Sequence, residues 1–363
     1  MTMLSNILSK PEATVINEGV KILSNDSVVV QDGMTFLKSG VLASTSTYPL
    51  ANGTGGGVTW TQRSMFASIN LYSITFGNGL FVAVGFSTVS LILTSPDGIN
   101  WTQRTSPSTT INWVSVCYGG GLFVAVTNTG TTAATSPDGI TWTQRTLPVS
   151  GYWSEVAYGN GIFVAIDGNI FVSSVVVTSP DGINWTQRAM PVSTSWYAIC
   201  YGNGMFVAVS ASSSNIAATS TDGITWTQRA TLTNLPGRDI CYGAGLFVIL
   251  DHNSSSSSRV ATSPDGITWT ARALPANSYN WSSICYGNGV FVAVSSNSTL
   301  AASSPDGITW TARTMPANPT WWSVAYGNGV FVTVAINNAI SYATSFNYLG
   351  SPTYVPNLYF RVA

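Results

Sequence analysis

Short apolar runs and short polar turn sequences alternate along the chain with a period of about forty residues. Residues 153–188 illustrate one period. WSEVAYG and IFVAI flank Gly159-Asn160-Gly161, a sequence whose residues tolerate the positive φ of a tight hairpin. VVVTS and INWTQR flank a second turn sequence, Ser179-Pro180-Asp181-Gly182. The period therefore predicts four antiparallel strands, and the alternation in the last of them is typical of an outer strand with one wet face.

Two motifs mark every period. Trp-Thr-[Gln/Ala]-Arg begins at Trp60, Trp101, Trp142, Trp185, Trp226, Trp269 and Trp310. [Phe/Tyr]-Gly-x-Gly begins at Phe76, Tyr118, Tyr158, Tyr201, Tyr242, Tyr286 and Tyr326. Each motif occurs seven times, which predicts an all-β, seven-bladed β-propeller with one four-stranded blade per period.

One copy of the repeat is divided between the two ends of the propeller. The first Trp-Thr-Gln-Arg follows Gly55-Gly56-Gly57 without a preceding strand hairpin, and the last period ends at residues 340–345 without that motif. We therefore expect the N-terminal strand Val58–Arg63 to complete the last blade as its outermost strand. This closure leaves no free sheet edge and predicts a ring rather than an open solenoid.

The remaining sequence lies outside the repeat. With the propeller assigned to residues 51–345, of which 58–63 complete the last blade, residues 1–50 form a short β-rich attachment or oligomerisation segment that is too small for its own sizeable core. Residues 346–363 form a C-terminal tail rich in tyrosine and proline.

Composition and charge narrow the class of partner. Only 7% of the residues are charged, against about 25% in an average domain, and the net charge is −1. No cluster of Lys and Arg favours nucleic acid, no apolar run favours membrane insertion, and the N-terminus does not resemble a secretory signal. The four cysteines share one repeat position, which predicts reduced core thiols at Cys117, Cys200, Cys241 and Cys285.

The loops between the second and third strands, and between successive blades, vary and share one face of the ring, which makes that face the candidate binding surface. Aromatic residues enter the first strands from it, and two interpretations stay open: packing between blades, or platforms for stacking on sugars. Under the second, the candidate ligand-binding residues are Trp113, Trp153, Trp196, Tyr197, Trp281, Trp321 and Trp322.

The inventory of reactive side chains gives little support to catalysis. A glycosidase requires a pair of carboxyl groups, and outside the repeat positions the propeller offers Glu155, Asp167, Asp239 and Asp251. We expect Asp239 to form a local ion pair with Arg238, and Glu155 to be a polar residue at a strand start. His252 lies in a Ser-rich loop, and no Cys-x-x-Cys or His cluster predicts a metal. We therefore predict no catalytic residues, no metal and no cofactor.

The turn segments, such as Ser136-Pro137-Asp138-Gly139-Ile140-Thr141-Trp142, resemble the Asp-box repeat of sialidase-type propellers. The copies here are one residue shorter between Asp and Trp, and Thr221 replaces Pro in one of them. In that family the Asp-box is a structural hairpin at the blade periphery. The resemblance thus implies a propeller and assigns no catalytic role to Asp97, Asp138, Asp181, Asp222, Asp265 or Asp306.

A second segment, Phe36 to Ala51, is similar to one found in tail-fibre and tail-associated proteins of bacteriophages. This resemblance implies a virion structural protein, located on the virion and homo-oligomeric, whose residues 1–50 contact other virion proteins. The propeller would then serve host attachment by binding a host-surface glycan or a neighbouring virion protein. A purely architectural module and a glycan-degrading enzyme are the alternatives.

Overall fold

A computed structural model describes residues 35–36, 42–43, 57, 59–63, 69–168, 172–212, 215–232, 235–251, 259–275, 280–296, 298–316, 320–336 and 342–346. The chain divides into a unit spanning Thr54–Asn347 and a second unit made of Met1–Gly53 and Tyr348–Ala363. In the second unit, Thr35–Phe36 pairs antiparallel with Leu42–Ala43. The rest of the predicted attachment segment, and the tail beyond Phe346, lie outside the described residues. Among the described residues, none belongs to a helix that could span a membrane.

The unit Thr54–Asn347 is a seven-bladed β-propeller of four-stranded antiparallel sheets, as the sequence predicts. The innermost strands of blades 1 to 7 are Asn70–Gly77, Trp113–Gly119, Trp153–Gly159, Trp196–Gly202, Gly237–Gly243, Trp281–Gly287 and Thr320–Gly327. The second strands are Leu80–Phe86, Leu122–Thr127, Ile162–Asp167, Met205–Ser210, Leu246–Asp251, Val290–Ser295 and Val330–Ile336. The third strands are Ser90–Ser95, Gly130–Ser136, Ser173–Ser179, Ile216–Ser220, Arg259–Ser263, Leu300–Ser304 and Tyr342–Phe346. The outermost strands are Thr102–Arg104, Thr143–Gly151, Thr186–Thr194, Thr227–Ala230, Thr270–Ala273, Thr311–Thr314 and, for blade 7, Thr61–Arg63.

Blade 7 is completed from the N-terminal side of the propeller, which confirms the predicted closure. Thr61–Arg63 pairs antiparallel with the third strand of that blade, with Gln62 opposite Ala343. Gly57 donates its backbone N–H to Ser345 Oγ over 3.1 Å, and the Trp60 indole donates to the Gly57 carbonyl over 3.2 Å. The strand spans Thr61–Arg63 and follows the turn contact of Gly57 with Trp60, while Val58 of the predicted strand lies outside the described residues.

Neighbouring blades touch where the second motif places an aromatic residue directly before a glycine. A Cβ built on Gly159 would lie 2.0 Å from Cγ of Tyr201, which belongs to the next blade. The same contact recurs around the ring and closes with Phe76 over Gly327, where the corresponding distance is 2.1 Å. Only a glycine lets the ring approach the strand this closely, which gives the physical reason for the Tyr-Gly pair.

Tryptophans fill the space between blades at the opposite end of the same innermost strands. Trp153 is fully buried and packs with Val124 and Val126 of the preceding blade as well as with its own. Trp196 does the same against Val164 and Ile166. Each interblade core therefore combines residues from two consecutive sheets.

The aspartates of the Ser-Pro-Asp-Gly turns serve their own hairpins. Asp138 Oδ1 accepts hydrogen bonds from Ser136 Oγ at 2.9 Å and from the backbone N–H groups of Ile140 and Thr141 at 2.8 Å. The same pattern holds at Asp97, Asp181, Asp222, Asp265 and Asp306. These carboxylates satisfy turn donors that the strand ladder leaves unpaired.

The contact of Tyr201 with Gly159 predicts a coupled mutational effect. Gly159→Ala should lower the free energy of unfolding by about 1–3 kcal/mol, because the added methyl overlaps the ring. In a Tyr201→Ala background the same substitution should cost much less. Urea denaturation of the single and double variants measures the coupling.

Gly161→Ala is the matched control for this cycle. Gly161 has a φ of +78° and no atom within 4 Å of a built Cβ, so its substitution cost is backbone strain alone. It should be the same with and without the Tyr201 ring. Equal costs of Gly159→Ala in the two backgrounds would contradict the interblade role of the glycine.

Candidate functional site

Every innermost strand carries a β-bulge near its start. In blade 3, Trp153 pairs with Asp167 and Glu155 with Ile166, so Ser154 is the extra residue. The same shift occurs in all seven blades. The bulge residues are Tyr72, Val114, Ser154, Tyr197, Arg238, Ser282 and Trp322. A bulge breaks the alternation of a strand and so turns two consecutive side chains toward one side.

The bulge residues and the residues that follow them line one cavity. Its volume is about 490 Å³, and every blade contributes to it. We call the second set the clasp residues; they are Ser73, Ser115, Glu155, Ala198, Asp239, Ser283 and Ser323. Asn112, Asn128 and Ala211 complete the lining. The cavity therefore occupies the channel where the innermost strands begin, at the end that faces the variable loops.

The clasp residues join consecutive blades. Ser115 Oγ accepts the backbone N–H of Val156 in the next blade over 3.1 Å. Glu155 Oε2 accepts the N–H of Ile199 over 2.7 Å. Equivalent bonds run from Val116 to Ser73, from Ile284 to Asp239, from Val324 to Ser283 and from Ile74 to Ser323. The bulge leaves this N–H outside the ladder, and the neighbouring blade satisfies it.

Ala198 cannot make this bond because it has no acceptor. Asp239 of the next blade compensates: its Oδ1 accepts the N–H of Ile240 at 2.7 Å, while its Oδ2 accepts the N–H of Ile284 at 2.8 Å. The Asp239 carboxylate thus accepts one backbone N–H of its own blade and one of the next blade. The need for a second acceptor explains physically why a carboxylate replaces serine at this position.

Arg238 and three aromatic bulge residues form the polar-aromatic part of the lining. The Arg238 guanidinium lies over the Tyr197 ring at 4.7 Å and over the Trp322 ring at 4.4 Å. It also donates a hydrogen bond to Tyr197 Oη. Tyr72 meets Trp322 edge to face, with ring centroids 6.2 Å apart. The rings hold the cation by cation–π attraction across three blades, rather than in the expected local ion pair with Asp239.

Burial disfavours the charged form of both acidic clasp residues. Burial raises the pKa of Glu155 well above its usual value, and the nearby Asp239 charge raises it further. Burial also raises the pKa of Asp239 to about 6, although hydrogen bonds from Ile284, Ser283 and Ile240 and the Arg238 charge oppose this. The cavity therefore contains one carboxyl group, that of Asp239, with a pKa of about 6, and a second, that of Glu155, whose pKa burial also raises.

The structure separates the predicted ligand-binding residues into two groups. Tyr197 and Trp322 line the cavity. The other five are buried between blades, with no more than 3% of their surface exposed: Trp113, Trp153, Trp196, Trp281 and Trp321. Their burial favours the packing interpretation for these five, because a ligand has no access to them.

Several cavity residues were outside the predicted site. Arg238, Glu155 and Asp239 were recognised in the sequence but without a common location, and Tyr72 was not among the predicted ligand-binding residues. The signal that unites them is their place one or two residues after the residue that pairs directly before the bulge of an innermost strand. That residue is Trp153 in blade 3, but Leu71 in blade 1 and Gly237 in blade 5. A strict two-residue alternation predicts that neighbours such as Arg238 and Asp239 point to opposite faces, and the bulge overrides it.

The arrangement is suited to holding a polar ligand. Hydroxyl, amide and carboxyl groups offer donors and acceptors, and the rings offer flat apolar contact. Among the described residues, no group of three or more His, Cys, Asp or Glu side chains is placed to hold a metal ion.

Two sets of carboxyl groups predict opposite effects of pH on stability. Backbone hydrogen bonds lower the pKa of Asp138, and likewise of Asp181, Asp222 and Asp265. Their stabilisation is present above about pH 4 and lost as the pH falls below it. The raised pKa of Asp239, about 6, acts in reverse: its stabilisation is present below about pH 4 and lost as the pH rises through 6. The free energy of unfolding, measured in urea from pH 3 to 8, should peak near about pH 4 and fall as the pH rises from there through 6.

Glu155→Gln isolates one member of the second set. Glutamine keeps an oxygen for the Ile199 N–H but does not titrate, so the variant should be more stable than the native chain at pH 8 and should show no such gain at pH 4. A difference that is the same at both pH values would contradict the assignment.

Comparison with known proteins identifies the architecture. Residues 113–244 match the DUF6242 beta propeller domain. The matched range is less than half of the chain. No curated protein matches the chain in sequence.

Solved propellers of several kinds are similar in structure. A structure described as YCF48 bound to D1 peptide is 16% identical with a TM-score of 0.62, and the match covers 84% of this chain and 99% of that one. YCF48 from Cyanidioschyzon merolae is 15% identical with a TM-score of 0.62, covering 79% and 98%. A catalytically inactive virginiamycin B lyase from Staphylococcus aureus with quinupristin is 10% identical with a TM-score of 0.69, covering 79% and 99%. At these identities the likeness establishes the β-propeller fold, which a peptide-binding protein and an enzyme share.

Proposed function

We propose that the propeller is a binding module that takes a saccharide of a host surface in the cavity at the variable-loop end of its channel. The observation that carries this proposal is the row of bulge residues. The two adjacent positions are more uniform, with Trp in five of seven blades before the bulge and Ser in four of seven after it, whereas the bulge residues are two Tyr, two Ser, Val, Arg and Trp. Scaffolding that is common to all blades does not require this diversity, whereas an asymmetric ligand does.

The chemistry of the lining favours a saccharide. Trp322 and Tyr72 form an aromatic wall, and Asn112 and Asn128 add amide groups. Sugars present apolar ring faces and rows of hydroxyl groups, which aromatic rings and amide or hydroxyl side chains can contact respectively. A volume of about 490 Å³ is within the range of small-ligand sites, about 300–1,000 Å³.

Binding without catalysis accounts best for the two acidic residues. Glu155 and Asp239 are the pair that hydrolysis of a glycoside would need, but each holds a backbone N–H of the following blade. A catalytic carboxyl group that donates or accepts protons in every turnover would disturb this bond between blades. We therefore assign the pair to the scaffold and to the polarity of the cavity.

The location that we propose for the chain is the virion. The similarity of Phe36 to Ala51 to tail-associated proteins of bacteriophages supports it, as does the low charge of the chain. Residues 1–50 would attach the chain to other virion proteins as a homo-oligomer, and the propeller would be displayed for host attachment. A neighbouring virion protein is the second partner that the variable-loop face could bind, and the peptide-bound YCF48 propeller supports such a partner.

Trp322→Ala should abolish most of the binding to host-surface saccharide. The loss of the aromatic wall should weaken the affinity at least about tenfold, as for a central aromatic contact in other interfaces. Isothermal titration with oligosaccharides released from the host surface measures this change, with thermal unfolding as a check on the fold.

Tyr152→Ala is the matched control. Tyr152 is an aromatic residue beside an innermost strand, 43% exposed, and does not line the cavity. Its replacement should leave the affinity unchanged. Equal effects of the two substitutions, or saccharide binding that persists in Trp322→Ala, would reject the cavity as the binding site.

Deletion of residues 1–50 tests the attachment role separately. The shortened chain should keep the propeller unfolding transition and should no longer be incorporated into virus particles, as measured by mass spectrometry of purified particles. Undiminished incorporation would reject the attachment role without affecting the saccharide site.

A further inference from the structure

Arg238 is a buried cation that forms no salt bridge with a carboxylate in the described part of the chain, although its charge acts on Asp239 at longer range. Its side chain is 9% exposed and lines the cavity. The ion pair in the described residues is that of Arg259 with Asp251, at 3.0 Å, and no described carboxylate oxygen lies within 4.0 Å of an Arg238 nitrogen. A buried charge is costly unless it is paired and hydrogen-bonded. Among the side chains that line the cavity, Arg238 is therefore the one that an added anionic partner would stabilise most.

The surroundings of Arg238 fix how such a partner would approach. A guanidinium has five N–H donors in one plane, and here it donates to Tyr197 Oη. Because Tyr197 and Trp322 contact it through their rings, its remaining in-plane donors stay available to a group in the cavity. A planar carboxylate matches this fork with two parallel hydrogen bonds.

We propose that the saccharide bound in the cavity is acidic, with a sugar carboxylate that pairs with Arg238 while its ring contacts Trp322. This inference rests on the proposed saccharide site and specifies its ligand. The amide groups of Asn112 and Asn128 and the hydroxyl groups of Ser154 and Ser282 lie in the same lining and can serve the sugar hydroxyl groups. An acidic peptide would satisfy Arg238 as well, but it would not need this density of hydroxyl and amide partners.

The acidic clasp residues make this pairing depend on pH. Glu155 and Asp239 share the cavity with Arg238, so an anionic ligand binds best when they are protonated and uncharged. The pKa of Asp239, about 6, places its charge change within an accessible range. The affinity for an acidic saccharide should therefore rise as the pH falls from 8 to 5, while that for a neutral saccharide should change little.

The other titratable groups around the carboxyl pair stay neutral in this range. Burial raises the pKa of Tyr197 and of Tyr72. It also raises the pKa of the thiols on the innermost strands, which are Cys117, Cys200, Cys241 and Cys285. The charge of the site is therefore set by Glu155, Asp239 and Arg238.

A pair of matched sugars tests the proposal. The probes are a glucuronate-terminated disaccharide and its carboxyl-reduced, glucose-terminated counterpart, titrated into the full chain at pH 5 and pH 8. At pH 5 the acidic sugar should bind at least about tenfold more tightly than the neutral one. Arg238→Gln should remove this preference, and Asp239→Asn should flatten its dependence on pH.

Arg145→Gln controls for the loss of one positive charge, because Arg145 bonds to Thr135 within its own blade and does not line the cavity. It should leave the preference intact. If the two sugars bind equally and Arg238→Gln changes neither, the acidic ligand is rejected and the saccharide site stands. If neither sugar binds, whether or not a glutamate-rich peptide does, both this inference and the saccharide site are rejected.

Discussion

The ring depends on the contact of an aromatic residue with a backbone glycine at each boundary between blades. At Gly159 and Tyr201 the ring lies where a Cβ would be, and the equivalent pair Gly327 and Phe76 joins the last blade to the first. This contact sets how closely the innermost strands approach, and thereby the width of the channel. Closure by Thr61–Arg63 depends on it as well, because blade 7 must meet blade 1 before its outermost strand can complete a sheet that has no free edge.

The bulges separate the scaffold from the candidate site within one short strand. In Trp153-Ser154-Glu155, the tryptophan packs against the preceding blade, the bulge residue enters the cavity, and the clasp residue holds the next blade. Of these three positions, the bulge residue is the one that neither fills the core between blades nor accepts the backbone N–H of the next blade. Side chains as different as Val114 and Arg238 therefore occupy equivalent positions without disturbing the ring, which is how a repeated architecture can carry an asymmetric site.

The sequence predicts the ring well because its determinants repeat. Seven copies each of Trp-Thr-x-Arg and of [Phe/Tyr]-Gly predict the number of blades. The strand at Val58–Arg63, which has no hairpin partner before it in the sequence, predicts the closure. The site was predicted only in part. Tyr197 and Trp322 lie in the cavity, whereas Trp113 and its equivalents are buried. The missing element is the bulge, a backbone irregularity with no residue of its own in the motif, so that adjacent residues such as Arg238 and Asp239 could not be placed in one cavity from alternation alone.

Because charged residues are rare in this chain, those that lie outside the repeated motifs call for a specific explanation. In a chain with 7% charged residues, Ser, Thr, Asn and Gly provide most of the polar surface, so charge is not needed inside the channel. Nevertheless Glu155, Arg238 and Asp239 meet in one cavity, where burial disfavours each of them. Serine fills four of the seven clasp positions and makes the same bond between blades at lower electrostatic cost. Asp239 has a structural reason in the missing acceptor of Ala198. Glu155 accepts the Ile199 N–H, but serine makes the equivalent bond in four other blades, and Arg238 holds no backbone group of a neighbouring blade. The proposed ligand, which would use both polarity and charge, gives a reason for these two residues.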